Sequence, residues 1–357
     1  MKIAHILPFT LGIVDYANRL SEQLSRVYGI ESILIPVTET VITPDPTYLD
    51  KFPIHKLKCG KDNPLLDAIP EDISGVIVHF DFELMSYVEA LQDLRRKRDD
   101  LKIVFMVHEF FPRWPMSFRS RLSIEFKRLI NSREGNVYLS RAAIVKLADH
   151  IFTNSQVFQS VLSRLTNAPV ICLPTFSNVG EPKEILSCKK RIRRMVIFGS
   201  AGSRERVYTN SAKALLKSCG LLGIEEIVDI GPFLEKDVQI FSKEIPVTAI
   251  GPQSSIKVSE VLSESMAGFI DYSHNPRTIS KSGVFAAYSA HGLVTVLSQP
   301  LKHETDNLKL NEHYTTWKNL KNVDTLKMQN ISTNAFDWYQ EHNVVKCAEK
   351  FSLVLSQ

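Results

Sequence analysis

Several things are scarce in this sequence, and each shortage removes a class of protein. Cysteine is scarce: Cys59, Cys172, Cys188, Cys219 and Cys347 make an odd count, with no Cys-x2-Cys spacing. That excludes a disulfide scaffold and gives a zinc site no support, so reduced thiols in a cytoplasmic protein are expected. No apolar run approaches about 18 residues, so no membrane-crossing helix is expected. The start, Met1-Lys-Ile-Ala-His-Ile-Leu-Pro-Phe, carries one charge and a run broken by Pro8. It reads as a first strand rather than a signal peptide. Excess charge is also small: 43 Lys+Arg against 39 Asp+Glu, a net +4. Such a balance calls for no nucleic-acid partner and suits phosphate-bearing ligands or approach to an anionic membrane surface. Neither Gly-x-Gly-x-x-Gly nor Asp-x-Asp occurs, so neither the dinucleotide fingerprint nor that metal-holding pair is present.

What is present is a long chain with a regular grammar. At 357 residues it exceeds one ordinary core and fits two domains of about 150–200 residues each. Short apolar runs alternate with amphipathic stretches, which predicts parallel α/β architecture. Strands are expected at residues 3–7, 32–35, 76–80, 103–108, 150–153 and 170–173. Helices are expected at 12–27 (Leu20, Leu24 and Val27 on one stripe), 82–97, 115–148 in two pieces, and 155–165 with Ser155 as N-cap. Residues 174–194 contain Pro174, Gly180, Pro182 and the run Lys189-Lys-Arg-Ile-Arg-Arg194. They read as a linker with a solvated basic surface. The grammar then repeats: strands at 195–198, 226–230, 247–250, 267–271 and 293–297, and helices up to 222, at 255–264 and at 282–291. The chain is expected to be mostly helical from about 307, ending in an amphipathic helix at 344–355. Domains are placed at 1–175, completed by a helix at about 340–357, and at 176–339.

Polar residues at the carboxyl ends of strands are the candidates for chemistry, since such folds bind ligands there. In Phe198-Gly-Ser-Ala-Gly-Ser-Arg-Glu-Arg-Val-Tyr208, Gly199 and Ser200 open a turn into a helix, and Arg204, Arg206 and Tyr208 follow. Helix amides and arginines could cradle a diphosphate; the alternative is an ordinary βα turn with exposed arginines. A second stretch runs from Asn275 through Ser280-Lys-Ser-Gly283 to His291-Gly292. Ser280, Ser282 and Gly283 place amides at a helix start and Lys281 adds a charge, which suits a phosphate or a sugar hydroxyl; a capped core helix is the alternative. Third, His108 and Glu109 follow a strand, with His79 and Asp81 at the end of the preceding one. Gly12 and Asp15 stand in the first βα turn, Gly12 for close approach and Asp15 as ligand or cap. Phe110, Phe111 and Trp114 could hold an acceptor face or be core under a loop. Arg95-Arg-Lys-Arg98, Arg119, Arg121, Lys127 and Arg128 read either as solvated helix faces or as a surface for an anionic leaflet.

Taken in order, these segments resemble the GT-B glycosyltransferases of family 4, the retaining enzymes that build bacterial polysaccharides. The likeness rests on the Gly12 loop, His108, Ala148-Asp-His-Ile-Phe-Thr-Asn-Ser155, the Phe198-Gly turn, the Gly251 segment, and Lys281-Ser-Gly with Ala290-His-Gly-Leu-Val-Thr-Val296. The tail Phe336-Asp-Trp338 with Ala348-Glu-Lys-Phe351 is similar to the family's final helix. The Lys-Ser-Gly variant is similar to a subgroup from cell-envelope or exopolysaccharide clusters, heterocyst-envelope glucosyltransferases among them. The resemblance implies two Rossmann-like doubly wound domains facing across a cleft, with a C-terminal helix crossing back. It implies transfer of a hexose, glucose first, from a UDP-sugar to a glycan or lipid-linked acceptor at the inner face of a membrane. No resident cofactor or metal is implied. His108, Glu109, Arg206 and Lys281 would be catalytic; Gly12, Asp15, His79, Gly199, Ser200, Arg204, Tyr208, Gly251, Ser280, Ser282 and Gly283 would bind substrate. One departure stands out. The family carries two glutamates before a glycine, and counting back from Gly292 those slots hold Ile279 and Ala287. That departure keeps a non-catalytic scaffold open as an alternative, and a nucleotide-sugar hydrolase or epimerase is the other activity that the resemblance allows.

Overall fold

The computed structural model describes residues 1–8, 10–37, 52–55, 64–81, 84, 87–110, 143–232, 243–273, 278–302 and 304–357. Contacts divide it into two units: Met1–Leu173 with Cys347–Gln357, and Pro174–Lys346.

The first unit holds β1 (Lys2–Leu7), α1 (Leu11–Tyr28), β2 (Glu31–Pro36), α2 (Pro64–Ala68), β3 (Gly75–Phe80), α3 (Val88–Lys97), β4 (Lys102–Val107), β5 (His150–Thr153), α4 (Gln156–Leu162) and β6 (Val170–Cys172). Its sheet is parallel, in the order β2-β1-β3-β4-β5-β6. Parallel sheets are covered on both faces, so their strands read as near-continuous apolar runs. β3 is buried at every position and β4 at all but its first. One face, with Ala4, Ile6, Val78, Phe80 and Phe105, forms the main core. Leu20 and Leu24 of α1 are fully buried, but Val27 is 50% exposed, so the expected stripe ends a turn early. Gly29 then closes α1 in the left-handed region at φ 62°. Ser155 caps α4 as expected, accepting from the Val157 amide.

The second unit holds β7 (Ile192–Phe198), α5 (Ala201–Thr209), α6 (Ala212–Leu222), β8 (Glu226–Ile230), β9 (Val247–Gly251), α7 (Ser255–Glu264), β10 (Ser265–Ile270), α8 (Gly283–Ala290), β11 (Val294–Leu297), β12 (Thr315–Thr316) and α9 (Thr325–Gln340). Its parallel sheet runs β12-β11-β10-β7-β8-β9. Numbered within the unit this is 3-2-1-4-5-6 reversed, the doubly wound dinucleotide-fold order, whose direction changes between β7 and β10. The last helix, α10 (Val344–Leu355), packs into the first unit from Cys347 onward, with the Phe351 ring 4.2 Å from that of Phe152.

Two expectations need correction. Arg191 in the basic run is 5% exposed rather than solvated, and donates to the Leu186, Ser265 and His291 carbonyls. Burial pushes its pKa down to about 10. The stretch after residue 307 holds no α-helix until Thr325; it first supplies β12 and a single 3-10 turn at Leu320–Asn322. The expected helices at 115–148 lie largely outside the described residues, as does the opening of the one at 82–97.

Candidate functional site

In an open parallel sheet, ligands bind outside the carboxyl ends of the strands where the strand order reverses. In the second unit that point lies between Phe198 of β7 and Ile270 of β10. A concavity open to solvent lies there, lined among others by Phe198, Ser203, Arg204, Arg206, Asp271, Ser282 and Val284. Gly199 makes the turn out of β7 at φ +131°, and an added Cβ would stand 3.1 Å from Val284 Cγ2. A side chain is therefore unwelcome for both backbone and packing reasons. The neighbouring turns are laced together: the Gly199 amide donates to the Ile230 carbonyl (3.3 Å) and the Gly231 amide to the Gly251 carbonyl (3.1 Å). Gly251 is thus buried at the end of β9 and belongs to this lacing rather than to the concavity's lining.

The two arginines of α5 have different fates. Arg204 is 1% exposed, and its guanidinium is spent on the Gly199 and Pro232 carbonyls and on Asp229. The Tyr208 hydroxyl also donates to Asp229, at 2.8 Å. Burial pushes the Asp229 carboxyl up, against the pull of Arg204 and Tyr208, and burial pushes the Tyr208 phenol up as well. Arg204 and Tyr208 thus brace the turns from inside, and Arg204 also stands in the lining of the concavity. Arg206 is half-buried and lines the concavity. Its Nη2 reaches Ser203 Oγ at 3.4 Å, while its buried Nε–H has no hydrogen-bond partner among the described residues. Ser200 is exposed and bonds Ser203 Oγ at 3.0 Å.

Opposite this turn, α8 begins. Ser282 caps it, accepting from the Phe285 amide at 3.2 Å. An added Cβ at Gly283 would meet nothing within 4 Å, so the helix start is open. Lys281 is half-buried in the single helical turn just before. Ser280 is 1% exposed and donates to Asp306, which anchors this turn. Ile279 and Ala287 are buried core residues, so neither slot faces the concavity. The residues Asn275 to Arg277 lie outside the described ones.

Asp271 is a lining carboxylate that sequence reasoning passed over. Burial would raise its pKa, but hydrogen bonds from Ser273, Ser211 and Ser298 outweigh that and hold it low. Its place at the end of an apolar strand, in Phe-Ile-Asp271, was the available signal.

In the first unit the direction changes between β1 and β3. Gly12 and Asp15 lie in the first turns of α1, Gly12 exposed with open space ahead of it and Asp15 half-buried. His108 and Glu109 follow β4, both half-buried, and Asn154 donates to the His108 carbonyl at 3.0 Å. His79 Nδ1 is 3.0 Å from His108 Nε2, and His79 Nε2 is 2.9 Å from Nδ1 of His5. His5 Nε2 in turn meets Ser21 Oγ at 3.1 Å. His79 is 0% exposed and bonds His5 and His108. His5 and Ser21 were not expected here. The signal was a histidine interrupting the apolar run of each of two parallel strands. Burial pushes His5 and His108 down to about 3 and His79 well below its usual value. Phe110 is core, packed on Phe80, while Phe111 and Trp114 lie outside the described residues. Arg95, Arg96 and Arg98 pair with Asp149, Asp93 and Asp100, with the Arg96 side chain 73% exposed; Arg119, Arg121, Lys127 and Arg128 lie outside the described residues. No helix among the described residues is long and apolar enough to cross a membrane.

No protein-family model matches the sequence, and no curated protein matches it. Solved structures share its fold over nearly the full length. A glycosyltransferase from Rickettsia africae ESF-5 is similar at TM-score 0.61 and 13% identity, over 99% of this chain and 97% of that chain. An alpha-glucosyltransferase in complex with UDP-glucose and DNA containing an abasic site is similar at TM-score 0.58 and 13% identity, over 99% of each chain. A Listeria monocytogenes protein described as a UDP-N-acetylglucosamine 2-epimerase is similar at TM-score 0.61 and 15% identity, over 99% of this chain and 95% of that one. The architecture is the two-domain α/β fold of the GT-B type.

Proposed function

We propose that this chain is a glycosyltransferase that takes a hexose, glucose first, from a UDP-sugar and passes it to a glycan or lipid-linked acceptor with retention. The observation that carries the reading is Arg206: a cation with a buried, unpartnered Nε–H in the concavity at the β7/β10 reversal, where the start of α8 also faces. An anion with several oxygens fits that combination. The leaving nucleoside diphosphate gains negative charge as the glycosidic bond breaks, and Arg206, Lys281 and the first amides of α8 stabilise it. In this reading the first unit serves the sugar and acceptor, with His108 as hydrogen-bonding group and Glu109 orienting it. No resident cofactor takes part. The fold neighbour bound to UDP-glucose supports the donor, and the transferases among the neighbours support the reaction class.

The test is a panel of nucleotides and nucleotide sugars, scored for protection against thermal unfolding and then for nucleotide release. A donor at about 100 times its Kd stabilises by about 2.7 kcal/mol. Stabilisation by a UDP-sugar and acceptor-dependent release of UDP are expected, and Arg206→Ala should lower turnover by about 10²–10³-fold. Free sugar without any acceptor would instead favour an epimerising hydrolase, a reading that the fold likeness to the Listeria protein and the His108–Glu109 pair support. Protection by no nucleotide at all would overturn the donor site and leave a non-catalytic scaffold.

A further inference from the structure

The three histidines of the first unit form one directional chain, and its far end decides its direction. His5 and His79 are 0% exposed, and Ser21 beneath them is 0% exposed as well. Their rings are near-parallel: His5 and His79 at 20°, His79 and His108 at 13°. The Tyr16 ring packs edge-on against both His79 and His108. A neutral imidazole has one N–H and one bare nitrogen, so each ring that donates at one end accepts at the other. Two arrangements alone satisfy both N···N contacts. Either every Nδ1 carries the proton, or every Nε2 does. The rings share protons rather than a metal ion. Two nitrogens at zinc-ligand distances of about 2.0–2.1 Å in a tetrahedral site stand about 3.3–3.4 Å apart, wider than the 2.9 and 3.0 Å seen.

Ser21 breaks the tie. A helical serine can return its hydroxyl proton to a carbonyl one turn back, as Ser218 of α6 does here, and as Ser163 and Ser265 do just past the ends of α4 and α7. Ser21 makes no such bond; its hydrogen-bond partner among the described residues is Nε2 of His5. A buried hydroxyl that left its proton unpaired would forfeit about 1–3 kcal/mol. Its proton therefore goes to His5 Nε2, which leaves the ring proton of His5 on Nδ1, aimed at His79. His79 repeats the pattern toward His108.

We propose that Ser21, His5 and His79 are positioning residues that hold His108 in its Nδ1–H tautomer, so that at the carboxyl end of β4 the ring presents a donor and not a base. The inference rests on the transferase reading for its meaning: the group His108 serves is an oxygen that accepts, such as a sugar hydroxyl or ring oxygen. With Nδ1 already protonated and Nε2 accepting from His79, the neutral His108 ring has no bare nitrogen with which to take a proton from an acceptor hydroxyl. That task falls elsewhere.

The tautomers can be read directly, by long-range ¹H–¹⁵N correlation of the imidazole rings in the full-length protein at pH 7.5 with no sugar nucleotide present. His5, His79 and His108 are each expected as neutral Nδ1–H rings. Ser21→Ala should let the Nε2–H form of His108 appear, and Ser21→Thr, which keeps the hydroxyl, should restore the wild-type pattern. An Nε2–H ring at His108 in the wild type overturns the inference without any variant, and so does a His108 signal unmoved by Ser21→Ala. The measurement involves no donor, so its failure is separate from a failure of the nucleotide-sugar panel.

Discussion

Replacing Arg204 with alanine should unfold the second unit far more readily, and the size of the effect follows from its surroundings. The side chain is 1% exposed and Asp229 beside it is 2% exposed. Removing one partner of a buried ion pair strands the other charge, at a cost of about 3–5 kcal/mol. The Gly199 and Pro232 carbonyls lose their partner in the same stroke. Against a typical total of about 5–15 kcal/mol that is a large share. With a urea slope of about 2 kcal/mol/M, the midpoint should fall by about 1.5–2.5 M. Trp317 and Trp338 both lie in this unit, so their fluorescence follows the transition. The double variant Arg204→Met with Asp229→Leu should recover most of the loss, because an apolar pair leaves no stranded charge. Arg206→Ala is the control: a midpoint within about 0.5 kcal/mol of wild type, with UDP protection lost. If Arg204→Ala keeps its midpoint and loses nucleotide, while Arg206→Ala does the reverse, the assignment of brace and ligand group is refuted.

Three further outcomes are expected. Gly231→Ala would put a Cβ 2.4 Å from the Gly199 carbonyl oxygen at φ +144°, so it should lower the same urea midpoint by an amount worth several kcal/mol, on the order of a 1–3 kcal/mol backbone penalty plus the clash. Ser282→Ala removes the cap of α8 and should cost about 1 kcal/mol in that midpoint, with weaker UDP protection as the amides loosen. The first unit should be acid-sensitive. His5 and His108 titrate at about 3 when folded and near 6.5 when unfolded, so the unfolded chain binds more protons as pH falls. Stability is full above about pH 6.5 and declines toward about 3, with each of the two rings costing about 2 kcal/mol at pH 5. Hydrogen exchange in β1 and β3, corrected for intrinsic rates, should show the decline between pH 7.5 and 5; unchanged protection would contradict the burial of these rings.

The strands were readable because a parallel sheet covered on both faces demands apolar runs such as Gly75–Phe80, and the two turns at Gly199 and Lys281-Ser-Gly because glycine and serine crowd where strands end. The rest was hidden by distance along the chain. A single helix up to residue 222 was expected, yet it breaks near Ser211, whose hydroxyl turns to Asp271 sixty positions on. Arg204 and Arg206 look alike in sequence; only the carboxylate of Asp229, on another strand, consumes one of them. His5 carried no motif, and its partners lie on α1 and β3. The paired glutamates expected from the family resemblance fall on Ile279 and Ala287, both in the core, so the sequence-level alarm concerned positions that do not face the concavity.

The helix α10 has a consequence for how the protein is made. Cys347, Ala348 and Phe351 are fully buried and complete the first unit, yet residues 174–346 separate them from the rest of it. At about 5–20 residues per second the ribosome takes roughly 10–35 s to cross that interval. Throughout it, the sheet's Phe152 face waits without Phe351, exposed to chaperones and to chance partners. The second unit, contiguous in sequence, can close first. A message cut short before residue 347 would therefore yield a finished second unit joined to a first unit that never seals, which is the kind of product that cellular proteolysis removes.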